Sequence, residues 1–183
     1  LYVIILAKVR PDLAPPLSAE ARQVPLPPMT QGFARSGEQR ALPGLMAAVA
    51  LWPLRPALPA DARWSARIGA QLVLLSAIAF AAQGMLPLDL QDMDGAASGL
   101  HAAAWTVWCL SFAAGALALA WGLRSNPPNR GIPMICLIVG SIVPLLAFVA
   151  PQWIANAFAQ RAAFVLWFGW VAWAGRIPSL SRA

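Results

Sequence analysis

The stretch LHAAAWTVWCLSFAAGALALAWGL at residues 100–123 decides the fold of this chain. It contains no Asp, Glu, Lys or Arg, and it is longer than the roughly 20 apolar residues that an α-helix needs to cross a bilayer. A segment inside lipid must pair its backbone N–H and C=O groups internally, and a helix does so within one segment. These residues therefore predict a transmembrane helix.

The composition of the whole chain agrees with a membrane protein. Of its 183 residues, 60% are hydrophobic and 11% are charged, and the mean hydropathy is +0.64. Soluble proteins carry about 25% charged residues because their surface faces water, so this composition excludes an ordinary soluble domain. The net charge is +6, but the arginines are spread between apolar runs, so no nucleic-acid partner is expected. The partner that the composition predicts is the lipid bilayer.

Two more stretches have the length and composition of a membrane span. Residues 68–86 and 131–150 contain no charged side chain. Pro144 lies inside the second of them, and a proline lacks the N–H that a helical hydrogen bond requires. We therefore expect a kink at Pro144.

Two less regular stretches complete the predicted bundle. Residues 153–175 reach a spanning length only if the helix runs through Arg161. Residues 42–54 are apolar but short, and Pro53 interrupts them. The sequence thus predicts an all-α, polytopic transmembrane helical bundle over residues 42–176, with four spans and a fifth, shorter candidate.

The two ends of the chain differ from this bundle. Six of the seventeen prolines fall between residues 11 and 28, so we expect residues 1–41 to be extended or disordered. The chain begins with Leu1, which suggests either an N-terminal truncation or a native start at Met29 or Met46. Residues 177–183 are expected to form a cytoplasmic tail.

The charges between the predicted spans indicate an orientation, because Lys and Arg are retained on the cytoplasmic side of the membrane. The connection at residues 87–99 has no basic residue and contains three aspartates. Arginines occupy the connections before and after it and the C-terminal tail: Arg55, Arg63 and Arg67, then Arg124 and Arg130, then Arg176 and Arg182. We predict a multi-pass protein of the inner (plasma) membrane with a cytoplasmic C-terminus and an external acidic connection.

Polar side chains gather near one predicted membrane face, which makes it the candidate functional site. Asp89 and Asp94 lie in the acidic connection, His101 opens the span that follows, and Arg161 lies inside the fourth span. An unpaired guanidinium in lipid costs roughly 2.5–3.5 kcal/mol on insertion scales. We therefore expect Arg161 to pair with Asp89 or Asp94.

His101 has two interpretations. An imidazole can accept a proton or ligate a metal, so His101 could act as a general base, or bind a divalent metal together with Asp89 or Asp94. It could instead be a structural residue that binds a loop carboxylate. The candidate catalytic and metal-binding residues are thus Asp89 and His101, the candidate binding residues are Asp94, Arg161 and Trp105, and no other cofactor is expected.

Two stripes run along the span at residues 100–123. Trp105, Trp108 and Phe112 share a helical face with His101, which indicates either a ligand-binding wall or core packing. Small side chains on a neighbouring face allow helices to approach closely in lipid and could join two copies of the chain. This second stripe consists of Ser111, Gly115, Ala118 and Gly122.

The chain resembles a known family over residues 42–176. The features that carry the resemblance are Arg67-Ile68-Gly69, an apolar span, the stretch Gly84-Met85-Leu86-Pro87-Leu88-Asp89, a short acidic connection and His101. This pattern is similar to the bacterial domain of unknown function 998 family. The resemblance implies a multi-pass inner-membrane protein whose first helix is incomplete here, and it supplies no reaction.

Three functions remain open at this point. The first is a non-enzymatic membrane protein with a lipid-binding or accessory role. The second is a membrane hydrolase or transferase with a site formed by Asp89, Asp94 and His101. There a metal-activated water, or a nucleophile deprotonated by the histidine as general base, would attack a lipid headgroup. The third, a small-solute transporter, is disfavoured because the three clear spans have no ionisable residue near their midpoints. The chain contains no short catalytic motif that favours an enzyme.

Overall fold

The computed structural model describes residues 37–58, 62–86, 95–124 and 131–176. All regular elements in these ranges are helical, which confirms the all-α prediction. The helices are α1 (Gly37–Leu51), α2 (Leu54–Ala57), α3 (Trp64–Met85), α4 (Ala96–Leu123), α5 (Gly131–Gln152) and α6 (Asn156–Ala174). The tail at residues 177–183 and most of the segment predicted to be extended lie outside these ranges. Residues 37–41, predicted as extended, already belong to α1.

Three helices are long and apolar enough to cross a membrane. They are α3, α4 and α5, which have 22, 28 and 22 residues, and they confirm the three uncharged spans of the sequence. The other two predicted spans are also helices, but α1 is too short and α6 is not apolar enough to be counted with these three. α1 has 15 residues, so it extends only about 22 Å against a hydrocarbon thickness of roughly 30 Å. α6 starts at Asn156 instead of residue 153, and Gln160 and Arg161 lower the hydropathy of its first turns.

The surface of the helices is apolar, which fits a protein embedded in a membrane. Large hydrophobic side chains point outward along most of the helices, including Val49 at 73% exposure and Val165 at 73%. Alanine is the most frequent residue of the interior, which also contains leucine, valine and a smaller number of large rings. A soluble protein rarely exposes apolar surface on this scale, because water would be ordered around it.

The small-residue stripe of α4 brings α3 close to it. A Cβ atom built on Gly122 would lie 2.6 Å from the backbone nitrogen of Ala66, and one on Gly115 would lie 2.8 Å from that of Val73. The pairing of early α3 with late α4 shows that the two helices run antiparallel. The close approach predicted from the stripe is therefore confirmed, within one chain. Association of two copies through the same face stays a prediction.

Pro144 changes the type of helix in α5. The α-helical part, Gly131–Pro144, continues as a π-helix over Leu145–Val149 and as a 3₁₀ turn over Ala150–Gln152. Since proline cannot donate to the carbonyl one turn earlier, the regular hydrogen-bond ladder is interrupted there. The α-helix thus ends at Pro144 and is followed by a π-helical and then a 3₁₀ turn, while the bend expected at Pro144 stays a prediction.

Most arginines of the described helices lie at one end of the bundle. α1 and α4 end there, and α3 and α5 begin there. Gly175, which directly follows α6, lies beside the end of α1, because a Cβ built on it would be 3.2 Å from the carbonyl oxygen of Ala50. We call this the arginine end, and the opposite end, where α4 begins, the histidine end. Arg40 and Arg161 belong to the helical turns nearest the histidine end. The arginine end contains Arg55, Arg63, Arg67, Arg124 and Arg176.

Candidate functional site

His101 joins the end of α3 to the start of α4. Its Nδ1 lies 2.8 Å from the carbonyl oxygen of Leu86, and the side chain is half-buried. A carbonyl oxygen can only accept, so Nδ1 carries the proton and donates it to this bond. In the neutral imidazole Nε2 is then the basic nitrogen. The described partner of His101 is thus a backbone carbonyl, whereas the sequence suggested a loop carboxylate.

The acidic half of the predicted site is not among the described residues. Asp89 and Asp94 fall in the segment 87–94, outside the described ranges. Within those ranges, no group of three His, Cys, Asp or Glu side chains is placed to hold a metal ion. The roles predicted for Asp89, Asp94 and His101 in catalysis or metal binding therefore stay predictions.

Arg161 faces outward from α6. It is the sixth residue of the helix and is exposed. Phe158 and Val165, three residues before it and four after it, are 67% and 73% exposed, so all three lie on one outward stripe. The described ranges, from residue 41 onward, contain no Asp or Glu. The expected pairing of Arg161 with Asp89 or Asp94 therefore stays a prediction.

Trp105 lies within a layer of aromatic rings between α6 and the α3–α4 pair. We call this the ring layer, and its ring centroids lie 4.8 to 5.8 Å from their neighbours. Trp108 and Trp167 are fully buried in it, while Trp105 and Phe164 are half-buried. Such contacts are worth about 0.5–1.5 kcal/mol each beyond the area they bury. The layer comprises Phe80 of α3, Trp105 and Trp108 of α4, and Phe164, Trp167 and Phe168 of α6.

Three buried donors in this part of the bundle have no described hydrogen-bond partner. They are the side-chain nitrogens of Gln83, Trp108 and Trp167. Gln83 is 9% exposed, and the antiparallel register set by Phe80 and Trp108 places it level with Trp105. A buried polar group without a partner costs about 1–3 kcal/mol. All three atoms are N–H donors, so what this region lacks is an acceptor.

The rings that α4 contributes to this layer were predicted from the sequence, and the rings that α6 contributes were not. The face of α4 that carries Trp105, Trp108 and Phe112 was predicted from its spacing. The facing rings of α6 recur at the same kind of spacing, at Phe164, Trp167 and Phe168, and the sequence contains this signal. Gln83 could be placed near the same membrane face as His101 from its position in the span, but its burial could not be predicted, because it depends on the neighbouring helix.

Comparisons with known proteins add no relative. No protein-family model, no curated protein and no solved structure matches this chain. The resemblance to the domain of unknown function 998 family therefore stays a prediction that rests on the residues quoted above.

Proposed function

We propose that this chain is a multi-pass protein of the bacterial inner membrane that binds lipid and has no catalytic role. In this proposal the arginine end lies in the cytoplasm, together with the C-terminus, and the histidine end faces outward. The collection of five arginines at one end supports this orientation, because basic residues are retained on the cytoplasmic side.

The outward stripe of Phe158, Arg161 and Val165 carries the lipid-binding proposal. Arg161 lies about 8 Å along the axis from the start of α6, so its long side chain can reach the headgroup level while its stem lies in lipid. Its neighbours on the stripe face lipid tails. A guanidinium at that depth needs an anion, and a lipid phosphate supplies two oxygens that match its geometry. In this proposal the phosphate takes the place of the carboxylate that the sequence predicted.

Photo-crosslinking tests this contact. Phosphatidylglycerol with a photoreactive headgroup is added to the purified protein in phosphatidylcholine nanodiscs, and the labelled peptides are mapped. We expect labelling of residues 153–165 in the wild-type protein. Arg161→Gln should lower that labelling about tenfold, the equivalent of one charge-assisted hydrogen-bonded pair of about 1.4 kcal/mol.

A matched variant separates this site from a general effect of charge. Arg124 lies at the arginine end, where its guanidinium carbon stands 3.4 Å from the ring centre of Trp121. Arg124→Gln should leave the labelling of residues 153–165 unchanged. Equal labelling in the wild-type protein and in Arg161→Gln, or an equal loss in both variants, would refute the lipid-phosphate contact.

The alternative function is a hydrolase or transferase that acts on a lipid headgroup. One observation favours it: the bond from Nδ1 of His101 to Leu86 orients the ring and leaves Nε2 as the basic nitrogen. Asp89 would complete the site, with or without a divalent metal. Metal content per chain and headgroup release are measured for the protein purified without chelators and for His101→Ala. Activity that is lost in the variant while folding is kept would replace the lipid-binding proposal with this one.

A further inference from the structure

The bundle is held together in two different ways. α3 and α4 meet through glycine and alanine, so that their backbones are in close contact. The backbone of α6 stays farther from α3 and α4 than these two are from each other, because the ring layer fills the space. The gap between α6 and the α3–α4 pair therefore has the width of aromatic side chains.

The ring layer can be reached from the surface through half-buried rings. Phe164 contacts Phe80, Trp105 and Trp108 at centroid distances of 5.2 to 5.6 Å, and its own side chain is half-buried. Rotation of this one side chain toward lipid would vacate a space of ring size among the remaining rings. That space would adjoin Trp108, which is one of the residues with an unpartnered donor.

The unpartnered atoms define the chemistry of an occupant. The indole nitrogens of Trp108 and Trp167 can only donate, and the unpartnered atom of Gln83 is its amide nitrogen. No carboxylate lies in the described helices from residue 41 onward, so these parts of the bundle offer no acidic group to a cation or to a ligand's donors. The matching ligand is flat, apolar and rich in acceptors.

We propose that the ring layer binds a lipid-soluble quinone, whose planar ring takes the place of the Phe164 side chain. Its carbonyl oxygens accept hydrogen bonds from Gln83, Trp108 and Trp167. Ring stacking provides contact area in a region where water is excluded, and the carbonyls satisfy the buried donors. This proposal does not depend on the contact between Arg161 and lipid phosphate.

Binding is measured by equilibrium dialysis of the full chain in detergent micelles, with empty micelles as the background. The probe is menadione, a small naphthoquinone, and the control probe is methylnaphthalene, which has the same ring system without carbonyls. We expect menadione to bind in excess over empty micelles and methylnaphthalene not to do so. Gln83→Met and Trp167→Phe each remove one donor and should weaken menadione binding about fivefold.

A second pair of variants tests the position of the ligand. Phe164→Ala removes the ring that the ligand would otherwise have to displace, so it should strengthen menadione binding. Phe148→Ala changes an exposed phenylalanine of α5, outside the ring layer, and should leave it unchanged. Equal binding of the two probes, unchanged affinity in both donor variants, or weaker binding in Phe164→Ala would each overturn the proposal. Gln83 lies in the last turn of α3, away from the fully buried centre of the ring layer, so Gln83→Met keeps the test available if Trp167→Phe does not fold.

Discussion

Gly122→Ala places a methyl group in the contact between α4 and α3. The new Cβ would stand 2.6 Å from the backbone nitrogen and from the Cβ of Ala66. Ordinary contact begins at 3.4 Å, so the helices must separate locally by about 0.8 Å. Both neighbouring atoms belong to or adjoin the backbone, and rotation of a side chain cannot relieve the clash.

The expected loss of stability follows from this separation. Extra methyl groups forced into a packed contact cost about 1–3 kcal/mol. Alanine in the interior of a helix is worth about 0.5–1 kcal/mol relative to glycine, which offsets part of the cost. Gly169 of α6 provides the matched control, since a Cβ built there meets no described atom within 4 Å. Both variants gain the same helix propensity, so the difference between them reports the clash.

The free energy of unfolding is measured in mixed micelles with a rising fraction of sodium dodecyl sulfate, followed by circular dichroism. Gly122→Ala should be less stable than Gly169→Ala by about 1–3 kcal/mol. Gly169→Ala should equal or slightly exceed the wild-type protein. If the two variants were equally stable, the close contact between α3 and α4 would not exist as described.

Two further predictions concern the ends of the bundle. His101→Phe keeps a ring of similar shape but removes the donor to the Leu86 carbonyl, so the free energy of unfolding should fall by about 1 kcal/mol; an unchanged value would mean that this bond does not hold α3 to α4. Trp153, 76% exposed, follows α5 toward the histidine end, and Arg176 lies at the arginine end. A membrane-impermeant thiol reagent applied to intact cells should label Trp153→Cys but label Arg176→Cys only after lysis, and the reverse pattern would refute the proposed orientation.

The three helices that are long and apolar enough to cross a membrane were predictable, because length and hydrophobicity are local properties of the chain. α3, α4 and α5 are uncharged over a spanning length, and lipid leaves such a stretch no alternative to a helix. The close approach at Gly115 and Gly122 followed from the spacing of small residues. Which helix would occupy that face did not follow, because spacing describes one surface and a contact requires two.

The candidate site was predicted less completely. The shared face of Trp105, Trp108 and Phe112 could be read from their spacing, but its partner rings on α6 depend on α4 and α6 lying side by side. His101 was expected to bind a carboxylate, and the described partner is the Leu86 carbonyl. The sequence shows that His101 can form a hydrogen bond. Which atom accepts that bond depends on where α3 ends, because the accepting carbonyl belongs to Leu86.

The sequence by itself determined that this protein is helical, that its surface suits lipid, and which three segments are long and apolar enough to cross a membrane, since hydrophobicity and length act on each segment separately. Tertiary structure decided that the small residues of α4 pack against α3, that a ring layer separates these two helices from α6, and that Gln83, Trp108 and Trp167 are buried with unpartnered donors. The physical reason is that burial and hydrogen-bond partners are properties of pairs of segments. They arise only when the helices are packed together.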